Sequence, residues 1–302
     1  MPNYHLIQTP ESLEKATQEM QRYGTLAVDT EFDNNHYRYG FTLCMVQMAT
    51  PDACFLIDTL AINNLKPLWE LLEEAQIEKV FHDCGEDMRI FYLNSCTPKG
   101  IFDTSLAAKI LGYEKLSLTN ILFEVLYLAP TLDKQRSDWT QRPLTDSQLE
   151  YAAYDVIHLL TLRDTLAQKL QNQQLWGTFQ QMMQQTEQKD YAPKPKTTFL
   201  SVAEQRSFSP FDAYILNELY RFRDQQAQQI NRPPYQIIAP AVLHHVLQDA
   251  SILNHWEKVK GVHHRLRSAT AGQMLKDIYN AAVSKAEEAG LSRQKRIKRP
   301  SH

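Results

Sequence analysis

Two architectures are predicted along these 302 residues, an α/β half built on a sheet of mixed direction and then an all-α module. Three observations lead there. Up to about residue 190, apolar runs of strand length alternate with segments of helical period. From about residue 207 the strand-like text stops and only helical periodicity remains. Between them lies YAPKPKTTF, two prolines among lysines, which has the composition of a linker.

The elements follow in order. TLAVDTEF reads as a strand, and FTLCMVQMA and CFLIDTL as a hairpin around Thr50-Pro51-Asp52-Ala53. LKPLWELLEEA has helical period and KVFH is a further strand. Helices are then expected at GEDMRIFYLNS, at TSLAAKILGY after Asp103, at LTNILFEVLY and over one long segment from about Thr145 to Gln171. The glutamine-rich text from 171 to 188 repeats Leu175, Phe179, Met182 and Met183 at helical spacing, so it predicts a continuing amphipathic helix. In the second half, PFDAYILNELYRFRDQQAQQI, PAVLHHVLQ and GQMLKDIYNAAVSKAEEA read as helices. Leu216, Leu219, Tyr220 and Phe222 form the inward stripe of the first, and Val242, Leu243 and Val246 that of the second.

Composition narrows the class. Hydrophobic residues make up 43% of the chain, enough for a real core, yet no run of 18 apolar residues could span a membrane. MPNYHLIQTPESLEK lacks the basic start and apolar stretch of a signal peptide, so a cytoplasmic protein is expected. Cys44, Cys54, Cys84 and Cys96 form no C-x-x-C pair and read as buried reduced thiols. The net charge of −3 hides a division: residues 1 to 200 carry 17 Lys+Arg against 26 Asp+Glu, and residues 201 to 302 carry 15 against 9. The basic half is the better handle for a polyanion.

Against this background four acids interrupt apolar runs: Asp29 and Glu31 in AVDTEFD, Asp87 in VFHDCGEDMRIF and Asp155 in YAAYDVIHLL. Carboxylates are rarely buried unless paired or bound to metal. On a strand, residues two apart share a face, so Asp29 and Glu31 point the same way and Thr30 the other. On a helix, residues four apart share a face, which sets the Tyr151 phenol beside Asp155. Oxygen-only ligation suits Mg2+ or Mn2+, and two such ions about 3.5 to 4 Å apart are a common apparatus for attack on a phosphodiester. Taken singly, each acid would read as a solvated charge or a helix cap, Asp87 above all as a first-turn acid.

The ordered set Asp29-x-Glu31, Asp87 and Tyr151-x-x-x-Asp155 resembles the three exonuclease motifs of the DEDD superfamily, in its tyrosine-bearing subclass. With VDTEF, FHDCGEDM, Leu132-Asp133-Lys134 through Arg136-Ser137-Asp138-Trp139 to Arg142-Pro143-Leu144, and EYAAYDV, the text is similar to ribonuclease D over roughly residues 1 to 190. The resemblance implies a ribonuclease-H-like exonuclease domain over 1–190, followed by a linker over 191–206. Residues 207–290 resemble the helical HRDC domain through R-D-x-Q-A, Arg232-Pro233-Pro234-Tyr235, KVKGV and Gly272-Gln273-Met274-Leu275. A basic tail over 291–302 would be left. Bacterial ribonuclease D commonly carries two HRDC domains, and this text provides for one.

The resemblance also implies the chemistry. Asp29, Glu31 and Asp155 would hold one Mg2+ or Mn2+, and Asp29 with Asp87, through waters, a second. Tyr151 would aim the nucleophile. The products would be nucleoside 5′-monophosphates from RNA with a free 3′ end, tRNA precursors foremost, with no obligate protein partner. Phe32, beside Glu31, is a candidate to stack on the terminal base, where stacking is worth about 1 to 3 kcal/mol, with core packing as the competing reading. His82, Lys134, Arg136 and Arg142 are substrate-contact candidates, weighed against a structural histidine and a solvated basic loop. His244-His245 and His263-His264 are adjacent pairs whose side chains diverge on a helix and chelate poorly. A DNA 3′-5′ exonuclease would use the same acids; a silent RNA-binding adaptor would usually have lost one of them.

Overall fold

The computed structural model describes residues 3–129, 134–193 and 196–295. Its residues divide into two units: 1–33 with 41–193, and 34–40 with 194–302.

The first unit carries, in chain order, β1 (His5–Ile7), α1 (Pro10–Met20), β2 (Thr25–Asn34), β3 (Phe41–Ala49), β4 (Cys54–Ile57), α2 (Lys66–Glu73), β5 (Glu78–Phe81), α3 (Gly85–Leu93) and β6 (Ile101–Asp103). α4 (Thr104–Ile110), α5 (Leu118–Leu126), α6 (Asp146–Ile157), α7 (Leu159–Asn172) and α8 (Trp176–Gln188) follow. The strands form one sheet in the order β1-β4-β3-β2-β5-β6. β3 and β4 are antiparallel, while β1 with β4, β2 with β5, and β5 with β6 are parallel, so the sheet is mixed as expected. The hairpin turn is closed by Thr50 N–H donating to Ala53 O at 2.9 Å. β2 is an interior strand whose Leu26, Ala27 and Val28 are all fully buried, the signature of a strand covered on both faces.

The structure departs from the sequence reading at four places. The short strands β1 and β6 and the helix α1 were not anticipated: three residues are too few for a period, and α1 announces itself mainly by its capping box between Thr9 and Ser12. The long helix expected from Thr145 to Gln171 is two helices broken at His158, which lets α6 pack on β3 and β4 while α7 packs on α4 and β5. The helix expected to continue through 171–188 is interrupted before α8, with Gln174 at φ 59°. Tyr191, read as linker, is buried and edge-on to Tyr92 at 5.6 Å. All four cysteines are buried and free.

The second unit is helical: α9 (Val202–Ser207), α10 (Pro210–Ile230), α11 (Pro234–Ile237), α12 (Pro240–Gln248), 3-10 segments at Ala250–Lys258 and His264–Leu266, and α13 (Ala269–Glu288). α9 falls largely within the segment read as linker, where Ser201 and Glu204 form a capping box. The inward stripe of α10 is buried as the period predicts, with Leu216, Leu219, Tyr220 and Phe222 in a core shared with Leu243, Val246 and the fully buried Trp256. Gly272 on α13 is required by that tryptophan: a Cβ there would stand 2.6 Å from Trp256 Cβ. In the segment read as a basic tail, Arg293 lies over the Phe211 ring at 3.7 Å and pairs with Glu287; residues 296–302 lie outside the described residues.

A polar cluster ties α9 to α10 and α12. Glu204 accepts hydrogen bonds from the Tyr220 hydroxyl and from Ser201, and its Oε1 lies 2.9 Å from His244 Nε2. Burial pushes this carboxyl up, but the hydrogen bonds from Tyr220, Ser201 and His244 outweigh it and bring it down to about 2. A depressed carboxyl favours the fold above its unfolded value near 4.5, and that contribution fades as pH falls toward 2. Glu204→Gln should therefore lower the melting temperature at pH 7 by several degrees, and the gap to the parent should narrow between pH 4.5 and pH 2. Calorimetry across that range checks it, and a gap independent of pH would count against it.

Candidate metal centre and its cleft

Three elements distant in sequence bring the acids together. β2 supplies Asp29 and Glu31 from one strand, α6 supplies Asp155, and carboxylate oxygens of the three lie within 4.8 Å of one another. Glu31 is buried, and Asp29 and Asp155 are half-buried. Burial first, then the charges of Asp87 and Asp155, hold the Asp29 carboxyl well above its ordinary range.

Asp87, in the first turn of α3, stands apart from that group of three. Its Oδ1 accepts a hydrogen bond of 2.5 Å from Thr30 Oγ1, the side chain that alternation turns away from Asp29 and Glu31. Burial moves the Asp87 carboxyl up to about 7 despite this bond. Tyr151 donates its hydroxyl to Asp155, and burial followed by the charges of Asp155, Glu31 and Asp29 keeps the phenol protonated far beyond neutral pH.

The acids sit in a cleft of about 950 Å³ that Phe32, His82, Asp83, Asp103, Lys109, Gln135, Lys189 and Tyr191 also line. Phe32 is half-buried and meets Phe41 edge-on at 4.7 Å between centroids. His82 borders the cleft but engages both ring nitrogens inside the fold, Nδ1 at 2.8 Å from Thr104 Oγ1 and Nε2 at 2.7 Å from Leu116 O. Lys134 and Arg136 do not line it, although Gln135 between them does. Arg142 does not line it either. Its Nε and Nη2 grip Asp58 at 2.7 Å each, and it further donates to the carbonyls of Cys44, Trp139 and Gln141. That is a structural clamp, since a guanidinium so occupied has little left for phosphate.

Asp103, Lys109, Lys189 and Tyr191 line the cleft without having been singled out in the sequence. Asp103 is the N-cap of α4, and Lys189 and Tyr191 fall where the text passes into the segment read as linker. The donor set at the centre is oxygen only, buried and mutually repulsive, which fits a hard divalent cation such as Mg2+ or Mn2+.

Fold and centre together define a 3′-5′ exonuclease, and comparison with known proteins agrees: the chain belongs to the 3′-5′ exonuclease family, which it matches over residues 4–171. Among curated relatives it is similar to ribonuclease D of Gluconacetobacter diazotrophicus, 28% identical over 99% of this chain and 78% of that protein. Ribonuclease D of Nitrobacter hamburgensis is 33% identical over 77% of this chain and 62% of the relative. That of Pseudomonas paraeruginosa is 31% identical over 80% and 65% respectively, so the chain spans under two thirds of these last two. The catalytic core of RRP6 from Trypanosoma brucei superposes with a TM-score of 0.80 at 22% identity, covering 95% of this chain and 81% of that one. Escherichia coli RNase D gives 0.72 at 22% identity, covering 98% and 79%. These two likenesses show the fold; the family model makes the chain a 3′-5′ exonuclease, and its curated relatives are ribonucleases D.

Removing a charge from the centre should uncouple activity from stability. Asp29→Asn and Asp155→Asn should each lower hydrolysis more than about 100-fold, beyond the loss typical of an outer-shell residue. Their melting temperatures in EDTA should equal or exceed the parent's, because a repulsive charge is gone. Retention of a tenth of the parent rate would refute the assignment. Arg142→Ala should do the reverse: stability falls by about 3 kcal/mol or more, because Asp58, whose side chain is 1% exposed, is left buried without its partner. KM for RNA should stay within about twofold. Urea unfolding and steady-state kinetics on one preparation separate the two behaviours.

Proposed function

We propose that this chain is a two-metal 3′-5′ exoribonuclease that trims structured RNAs, tRNA precursors foremost, releasing nucleoside 5′-monophosphates in the cytoplasm. The observation that carries the reading is the trio Asp29, Glu31 and Asp155 with oxygens within 4.8 Å, joined by Tyr151 through its bond to Asp155. Asp29, Glu31 and Asp155 would hold one Mg2+ or Mn2+, and Asp29 with Asp87, through waters, the other. Bound there, such ions supply acidity to a water and stabilise charge on the phosphodiester oxygens.

The chain's own groups do the positioning. Tyr151 stays protonated and aims an attacking water by hydrogen bonding rather than taking its proton. Phe32, on the strand residue next to Glu31 and half-exposed, offers a ring to the terminal base. Lys109 and Lys189 on the cleft wall meet the phosphates of the entering strand.

The helical unit is read as an HRDC-like RNA handle. Its Arg232, Lys258, Lys260 and Arg265 lack carboxylate partners among the described residues, and Arg232, His264, Arg265 and Arg267 lie close enough together to depress the protonation of His263 after burial has done so first. A cluster of unpaired cations on the basic half suits a polyanion held by counterion release.

The test is degradation of matched 3′-labelled RNA and DNA. Stepwise release of labelled 5′-mononucleotide from RNA with Mg2+ or Mn2+, and none in EDTA, is expected. Faster loss of label from DNA would favour the DNA exonuclease instead, and no release from either would leave the adaptor reading.

A further inference from the structure

The acid that stands apart, Asp87, follows a segment, Phe81–Cys84, that is held by side chains from outside it. Asp83 takes a left-handed conformation, φ 62°, which non-glycine residues populate sparsely and which its surroundings hold here. The enforcing groups come from the start of α4. Asp103 Oδ1 accepts from Asp83 N–H at 3.0 Å and its Oδ2 from Cys84 N–H at 3.1 Å. The same Oδ1 also accepts from Ser105 and Leu106 at 2.8 and 3.2 Å, so one buried carboxylate caps α4 and fixes the preceding loop at once. Next to it, Thr104 Oγ1 donates to Phe81 O at 2.8 Å and lies 2.8 Å from His82 Nδ1. Every residue from Phe81 to Cys84 is thus held by Asp103 or Thr104. α3 begins at the following residue, with Asp87 in its first turn.

We propose that Asp103 and Thr104 are positioning residues for the exonuclease reaction: they set the backbone of Phe81–Cys84 and so place the Asp87 carboxylate for metal. The clamp is rigid where it must be. Asp103 and Thr104 are themselves buried, 7% and 0% exposed, and sit at the junction of β6 with α4, both regular elements. Apart from the His82 ring, whose Nε2 is anchored in turn at 2.7 Å from Leu116 O, the partners of the Asp103 carboxylate and the Thr104 hydroxyl are backbone atoms, so the clamp does not depend on a mobile side chain. Neither residue is among the motif acids, and Asp103 lies 16 positions beyond Asp87 in the chain. The inference rests on reading Asp87 as a metal ligand, and the test separates the two.

Asp103→Asn keeps the size of the side chain but turns one acceptor into a donor, against either the Cys84 N–H or the three donors on Oδ1. Thr104→Val removes only the hydroxyl, and Thr104→Ser restores it. Three readouts are taken on each: amide exchange of the peptide covering 81–88 in metal-free protein, Mn2+ affinity by calorimetry, and kcat and KM on a short RNA. Asp103→Asn and Thr104→Val should speed exchange in that peptide, weaken Mn2+ about tenfold and cut kcat by a similar factor, with KM within twofold. Thr104→Ser should match the parent. Asp87→Asn is the reference. If it leaves Mn2+ affinity unchanged, the ligand reading fails; if it weakens Mn2+ while both clamp variants bind and turn over like the parent, the clamp proposal fails. Should Asp103→Asn not fold, Thr104→Val decides by the same readouts. A loss of activity that simply tracks the folded fraction, with unaltered Mn2+ affinity, would overturn the proposal.

Discussion

Carboxylate oxygens of Asp29, Glu31 and Asp155 within 4.8 Å of one another repel, and the burial of Glu31 and half-burial of Asp29 and Asp155 strengthen the repulsion by removing water. A chain left to minimise its own free energy would spread them apart. The fold instead prevents any of them from leaving: Asp29 and Glu31 are fixed by an interior strand whose neighbours on both sides are hydrogen-bonded to it, and Asp155 by a helix packed on β3 and β4. Burial first, and then the charges of Asp87 and Asp155, raise the Asp29 carboxyl, so the repulsion is also felt in its protonation. A divalent cation relieves it, so affinity for metal is stored in the apo fold as strain between charges.

Much of the remaining architecture serves to keep that arrangement in place. Arg142 joins Asp58, at the end of β4, to the carbonyls of Cys44 and Trp139, and so docks the segment before α6 onto the sheet. Trp139, fully buried, lies 6.3 Å from the Tyr151 ring. This ion pair, with Asp58 almost fully buried, therefore bears on the site through packing rather than through contact with substrate. Asp103 and Thr104 do the equivalent for the loop that leads to Asp87.

The motif acids were legible because each breaks a rule that surrounding residues obey: a charge inside an apolar strand, or a phenol and a carboxylate one helical turn apart in an otherwise apolar face. The mixed sheet and the helical second half were legible from period alone, and the Thr50–Ala53 turn from its chemistry. What escaped has physical reasons. β1 and β6 are three residues long and owe their existence to parallel pairing with β4 and β5, which no local pattern encodes. The break at His158 is made by two different packing surfaces. Arg142 looked like a phosphate ligand because its partner Asp58 is 84 positions away, and Asp103 drew no notice because two of its four donors, the N–H groups of Asp83 and Cys84, lie 20 and 19 positions earlier.

The claim that the fold stores repulsion for metal is tested most directly by the number of Mn2+ ions the intact chain takes up and what they do to its stability. Electron paramagnetic titration at neutral pH should count two bound ions per chain, and the melting temperature should climb continuously with the logarithm of free Mn2+ beyond the dissociation constant, as binding to the native state alone requires. Fewer than one ion bound, or a melting temperature indifferent to Mn2+, would contradict the account.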